Sequence, residues 1–457
     1  MNAHQQTIGR RGLLAATAGL AVTALLAPVA AAAPGPAPTT VSATASKDRQ
    51  AAALRALDRA AQPLRSTEPG GRTTDLRALG AMIGDAEVVG LGEATHGSHE
   101  FFAMKERVFR YLVEQKGFTT FALEMSWTAG LRIDEYLQGG RGDARQVARE
   151  TLTGSPWERE EFVSLITWMR RYNDRHPDRK VHFMGNDVGA PRLGDAAFDR
   201  VLAHVRANRP QDLARLEGLY AGLRPLDDVF AYLGRPVAER RHNATVAQQA
   251  LDLLTAGQGV GGDAYEWAEQ HARNIAQTFA FASLDLSDPG SVSAAEHLRD
   301  RVMADNTAWW HQRTGDKMLL SAHNGHVGYL STDPVMYPTT QGVFLRNALG
   351  RAYTAIGFTF NQGSFLTATA LGSPWARVTV PRATPDMQEY TLDRVSQRDY
   401  YLDLRTLPTA GRSWLDTPRP VYEAGSSYQG DPRPTLAIGR AYDILIHLDQ
   451  VHEAVKL

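Results

Sequence analysis

Apolar residues in this chain fall into two alternating rhythms. Short unbroken runs at residues 87–91, 118–124, 181–185, 317–321, 353–360 and 436–447 have the length and β-branched or aromatic content of buried strands. Between the first three, apolar positions recur at helical spacing over residues 98–115, 128–137, 145–152 and 158–174. Helical spacing also marks residues 48–62, up to Pro63, and 73–83. Strand–helix alternation of this kind predicts an α/β fold: a central parallel or mixed sheet flanked by helices. From about 196 to 314 the strand rhythm stops and long helical patterns take over, broken by the glycine-rich run at 257–262. This stretch reads as a large helical insertion, a cap over the sheet. Beyond Gly363, strand-like segments alternate with Pro and Gly, including 375–380 and 420–422.

The N-terminus follows another logic. Arg10-Arg11 precede an apolar, alanine-rich run that ends near Ala33, and Pro34, Pro36 and Pro38 follow. A basic start, an apolar middle and small residues at the end describe a cleavable export signal over residues 1–33, and the paired arginines are twin-arginine-like. The protein is therefore expected to be secreted or extracytoplasmic, with residues 34–47 as a flexible linker and 48–450 as one α/β domain. No later run is long enough for a membrane span, so no membrane contact is expected after signal cleavage.

Charge and composition narrow the function classes. Removing residues 1–33 takes away two arginines and no acid, moving the net charge from −1 to −3. That balance offers no electrostatic footprint for nucleic acid. The chain has no cysteine, which excludes disulfides, a thiolate nucleophile and thiolate metal ligands. No Gly-x-Ser-x-Gly elbow is present either, so water is the expected attacking group in any hydrolysis.

The candidate chemistry sits where apolar runs stop. Val88-Val89-Gly90-Leu91-Gly92 leads into Glu93 and, three residues on, His96. The run 118–123 ends in Glu124, the run 181–186 in Asp187, and 317–322 in His323-Asn324-Gly325-His326. Carboxyl ends of neighbouring strands in an open α/β sheet face one crevice, so these groups are expected to converge. Imidazole beside carboxylate suits acid–base work near neutral pH. The same His and Glu side chains could instead share a divalent metal, and the spacing alone allows both.

Gly92-Glu93-Ala94-Thr95-His96-Gly97, Phe121-Ala122-Leu123-Glu124, Arg299-Asp300 and Ala322-His323-Asn324-Gly325-His326, in this order, resemble the erythromycin esterase family. The resemblance runs over roughly residues 50–450 and implies an α/β core with helical additions. It implies hydrolysis of a small-molecule ester or lactone by a general-base histidine and water, with no essential cofactor. Carried over residue by residue, His96 matches the base, Glu93 its partner, Glu124 a second active-site carboxylate, and His323 and His326 the paired histidines. Lys105 stands where resistance esterases carry arginine; with Arg299 it is expected to hold substrate, without arginine's bidentate fork. Two alternatives stay open at this point: metal-dependent hydrolysis by the same cluster, and a non-catalytic protein that captures a metabolite.

Overall fold

A computed structural model describes residues 43–256, 262–370, 373–428 and 430–457. The expected export signal, most of the expected linker and most of the glycine-rich run lie outside these residues. The strands are β1 (Gln62–Pro63), β2 (Val88–Leu91), β3 (Phe118–Ser126), β4 (His182–Asp187), β5 (Lys317–Ser321), β6 (Tyr353–Thr367), β7 (Ala376–Val380), β8 (Tyr400–Asp403), β9 (Arg419–Pro420), β10 (Thr435–Leu436) and β11 (Ile444–Val451). Among the described residues, nine of them form one sheet in the order β1-β8-β11-β6-β2-β5-β3-β4, with β7 paired to β6. β11, β6, β2, β5, β3 and β4 run parallel, and the outer β1 and β8 and the added β7 are antiparallel. The sheet is thus mixed and mostly parallel, flanked by helices, as the pattern predicts.

The central strands β2, β3 and β5 are buried almost throughout because both faces are covered. Alternate residues point to opposite sides. Val89, Leu319, Phe121 and Phe183 occupy one cross-strand row and join a core with Phe109, Leu112 and Met169. Leu320, Ala122 and Met184 form the next row and pack on the other face against Trp127, Ala304 and Trp310. The helix His99–Lys116, closed by Gly117 at φ 78°, covers the first face.

The helical stretch begins at Asp195 and closes with the 26-residue helix Pro289–Thr314. Phe198, Val201, Leu251, Ile275 and Phe279 give it a core of its own. Its last helix, capped by Asp288 and opened by Pro289, returns to the sheet through Ala304, Ala308 and Trp310. None of the helices among the described residues is long and apolar enough to cross a membrane.

Three local readings change. The helix expected over residues 48–62 spans Ala43–Ala60, so it starts inside the expected linker. The run 436–447 is not one strand: a helical turn, Ile438–Ala441, separates β10 from β11. Gly439 there lies against Asp416, and apolar content alone does not separate a buried turn from a strand. β8, only four residues long, lies in a stretch where the pattern names no strand.

Register decides where the chemistry lands. Leu91, Ser321, Leu123 and Gly185 form one cross-strand row near the carboxyl edge. Glu93, His323, Glu124 and Asp187 follow within two residues of that row, so four adjacent strands deliver them to one rim.

Candidate active site

His96 sits on the turn between β2 and the helix His99–Lys116. Its Nδ1 lies 2.5 Å from Glu93 Oε1, and Glu93 Oε2 accepts from the Lys105 ammonium. Glu93 is fully buried and Lys105 is 1% exposed. With both Glu93 oxygens accepting, the His96 ring proton belongs on Nδ1, which leaves the Nε2 lone pair for chemistry. Burial pushes the Lys105 ammonium below its ordinary pKa, against the pull of Glu93. The turn is tight: a Cβ on Gly97 would collide with the Leu366 backbone, and one on Gly92 with the Asn324 side chain.

Glu124 stands at an irregularity in β3. Leu123 pairs with Gly185 and Ser126 with Asp187, so Glu124 and Met125 oppose Asn186 alone. Such a bulge re-aims a side chain at a sheet edge. Glu124 Oε1 accepts from Arg299 Nη2 at 2.8 Å and lies 3.3 Å from His326 Nε2. Its Oε2 accepts the His323 backbone N–H at 2.9 Å. Burial alone would raise its pKa, but His326 and then Arg299 hold the carboxyl well below the usual range. Arg299 also donates through Nε to Asp187 Oδ2 at 2.8 Å.

The two later histidines are in different states. His326 Nδ1 is 2.8 Å from Asp300 Oδ1, and its Nε2 faces Glu124. Burial opposes its charge, yet Asp300 and Glu124 lift its pKa well above the ordinary imidazole value. Two carboxylates thus favour the charged ring, while Arg299 Nη1 lies 3.3 Å from the same Nε2. His323 Nδ1 instead accepts the Gly325 backbone N–H at 3.2 Å, which places the ring proton on Nε2, an atom without a hydrogen-bond partner. Burial first, and the neighbouring His96 next, hold its pKa far below the imidazole value. His323 is therefore a neutral N–H donor.

His96, Glu124, Asp187, Arg299, His323 and His326 line one cavity of about 270 Å³. Its apolar wall includes Val188, Phe230 and Phe281, and Trp157 packs edge-on to His96 with ring centroids 5.7 Å apart. Ser331, Thr332, Ser426 and Ser427 supply hydroxyls on its lining. Glu93 supports the cavity from behind. Lys105 requires a correction. It does not line the cavity, because its side chain is spent on Glu93 and the Ala322 carbonyl, and it has no access from which to hold substrate. Arg299 reaches the cavity but is clamped by Asp187 and Glu124.

Sequence reasoning gave no role to three groups here. Asp300, quoted in the resemblance beside Arg299, holds His326. Trp157 and Glu423 both line the cavity; Trp157 falls between two expected helices. Glu423 directly follows the strand-like segment 420–422, the pattern that marks the other strand-end acids.

Among the described residues no group of three or more His, Asp or Glu side chains is placed to hold an ion. The candidate ligands are engaged instead with Lys105, Arg299, Asp300 and one another.

The Erythromycin esterase family model matches residues 113–451. Erythromycin esterase type II of Escherichia coli is 26% identical over 345 residues, covering 66% of this chain and 75% of that protein. A Bacillus cereus protein of known crystal structure superposes with a TM-score of 0.81 at 27% identity, covering 89% of this chain and 99% of that one. An erythromycin esterase mutant in its open conformation shares the fold, with a TM-score of 0.64 at 17% identity over 84% of this chain and 96% of that one.

Proposed function

The chain belongs to the erythromycin esterase family, and from the site it carries we propose that it hydrolyses a small-molecule carboxylic ester or lactone by general-base activation of water. The observation that carries this reading is the contrast in partners of two adjacent rings: His96 Nδ1 faces the Glu93 carboxylate, whereas His323 Nδ1 accepts the Gly325 backbone N–H. These partners favour a proton on Nδ1 of His96 and on Nε2 of His323. One ring accepts a proton and the other donates a hydrogen bond, with centroids 4.9 Å apart.

In this mechanism His96 Nε2 takes a proton from water as the water oxygen attacks the carbonyl carbon. Glu93 stabilises the imidazolium that forms, and Lys105 keeps Glu93 an acceptor. The carbonyl oxygen gathers charge, and His323 Nε2–H donates to it. The Glu124–Arg299–His326–Asp300 network positions His323, since Glu124 grips the His323 backbone N–H. Val188, Phe230 and Phe281 receive the apolar part of the substrate. No step uses a metal or organic cofactor.

The same reading places the working protein outside the cytoplasm, supported by Arg10-Arg11 and the alanine-rich run after them. Hydrolysis of a panel of simple esters and lactones, followed by acid release, tests the activity. Turnover of panel members supports it, and a wild-type protein that hydrolyses none contradicts it. Replacement of both arginines by lysine tests the location: the full-length protein then accumulates inside the cell.

A further inference from the structure

Glu423 is out of keeping with the other acids of the cavity. Glu124 and Asp187 meet Arg299, Asp300 meets His326, and Glu93 meets Lys105. Glu423 has no arginine or lysine within 4 Å among the described residues. Its nearest basic atom is His323 Nδ1, at 4.0 Å, which belongs to a neutral ring and already accepts from Gly325. Oε1 accepts the Thr332 hydroxyl at 3.0 Å, and among the described residues Oε2 has no hydrogen-bond partner. A buried carboxyl with no cation in contact favours its protonated form, because the charged form would lose hydration that little replaces. Burial lifts the Glu423 pKa to about 7, against the Thr332 hydrogen bond and the more distant charge of His326.

Position matches chemistry. Thr95 pairs with Ala424, and the Ala424 N–H donates to the Ala94 carbonyl at 2.8 Å. This pairing fixes the strand-like segment that bears Glu423 against the turn that bears His96. Both side chains line the same cavity.

We propose that Glu423 is the general acid of the reaction, delivering its proton from Oε2 to the leaving alkoxide oxygen. The inference rests on the ester-hydrolase reading above. In the first step His96 takes one proton of water while the remaining hydroxide forms the new C–O bond. In the second, the bond from carbon to the leaving oxygen breaks and that oxygen takes the Glu423 proton. The proton held on His96 returns to the Glu423 carboxylate through solvent, so one water adds across the cleaved bond.

A general acid matters in proportion to how poor the leaving group is. The test compares Glu423→Gln with wild type on ethyl butanoate, which expels an alkoxide, and 4-nitrophenyl butanoate, which expels a stable phenolate. The variant should lose about 10²–10⁴-fold in kcat/KM on the ethyl ester and far less on the nitrophenyl ester. Wild-type kcat/KM for the ethyl ester should fall as pH rises through about 7, and this limb should vanish in the variant. Thr332→Val, which removes a hydrogen bond favouring the charged carboxylate, should move the limb to higher pH and keeps the proposal testable should Glu423→Gln not fold. Equal losses on both esters from a folded variant, or a limb that Thr332→Val does not move, would overturn the proposal alone. A wild-type protein inert toward both esters would overturn it together with the hydrolase reading.

Discussion

The His96 and His323 rings lie 4.9 Å apart at 54°, one hydrogen-bonded through Nδ1 to a carboxylate and the other through Nδ1 to a backbone N–H. The difference in partner sets the tautomer of each ring and so divides their work. A carboxylate draws the proton to the near nitrogen, and an N–H donor drives it to the far one.

That division makes His323 a hydrogen-bond donor and not a titrating group. His323→Ala should lower kcat by about 10²–10³-fold, the range for loss of one oxyanion donor. Because burial and His96 keep the ring neutral, the shape of the kcat/KM pH profile should be unchanged. An ionisation that disappears from the profile of this variant would assign His323 a different role.

The Glu93–Lys105 pair is buried, so breaking it exposes the cost of an uncompensated charge. Lys105→Met should destabilise the fold by about 3–5 kcal/mol, read by urea unfolding, because Glu93 loses its ammonium. Adding Glu93→Gln to Lys105→Met should recover part of that loss, since neither site is then charged. Strictly additive losses would show that the two side chains do not depend on each other.

His99 links the site's first helix to two acids: Nδ1 is 2.7 Å from Glu161 and Nε2 is 3.0 Å from Glu68. The Glu161 contact, opposed by burial and aided by Glu68, raises its pKa to about 9 from an ordinary 6.5. A raised folded-state pKa stabilises fully below the unfolded value and is lost as pH climbs through the folded one. The ring is a third exposed, so solvent screening discounts the effect to about 1 kcal/mol. His99→Gln should therefore lower the Tm at pH 6 and have less effect at pH 10. An equal shift at both pH values would remove the ion pairs from the account.

Much of this arrangement was legible in the sequence because strand ends announce themselves. Glu93, Glu124, Asp187 and His323 each follow an apolar run, and a parallel sheet brings such ends to one rim. The bulge at Glu124 leaves no mark in the pattern, since a residue's type does not show that two positions of one strand oppose one of the next. Lys105 was expected to hold substrate from the position it matches in the resemblance, and only the fold shows that this side chain turns in beneath Glu93. Glu423 lies in a loop-rich stretch whose path is set by contacts between residues far apart in sequence, among them Thr95 with Ala424 and Tyr422 N–H with Glu389. β10 and β11 merged into one expected strand because the turn Ile438–Ala441 buries Ile438 and Ala441 and is too short to break an apolar run interrupted there by Arg440 alone.

The proposed hydrolysis depends on His96 as the base that activates water, and one substitution tests it most directly. His96→Asn removes the accepting nitrogen while keeping a polar side chain beside Glu93. On the esters and lactones that wild type hydrolyses, the account predicts a loss of about 10²–10⁴-fold in kcat/KM with Tm essentially unchanged. Rates equal to wild type in a folded His96→Asn protein would contradict it.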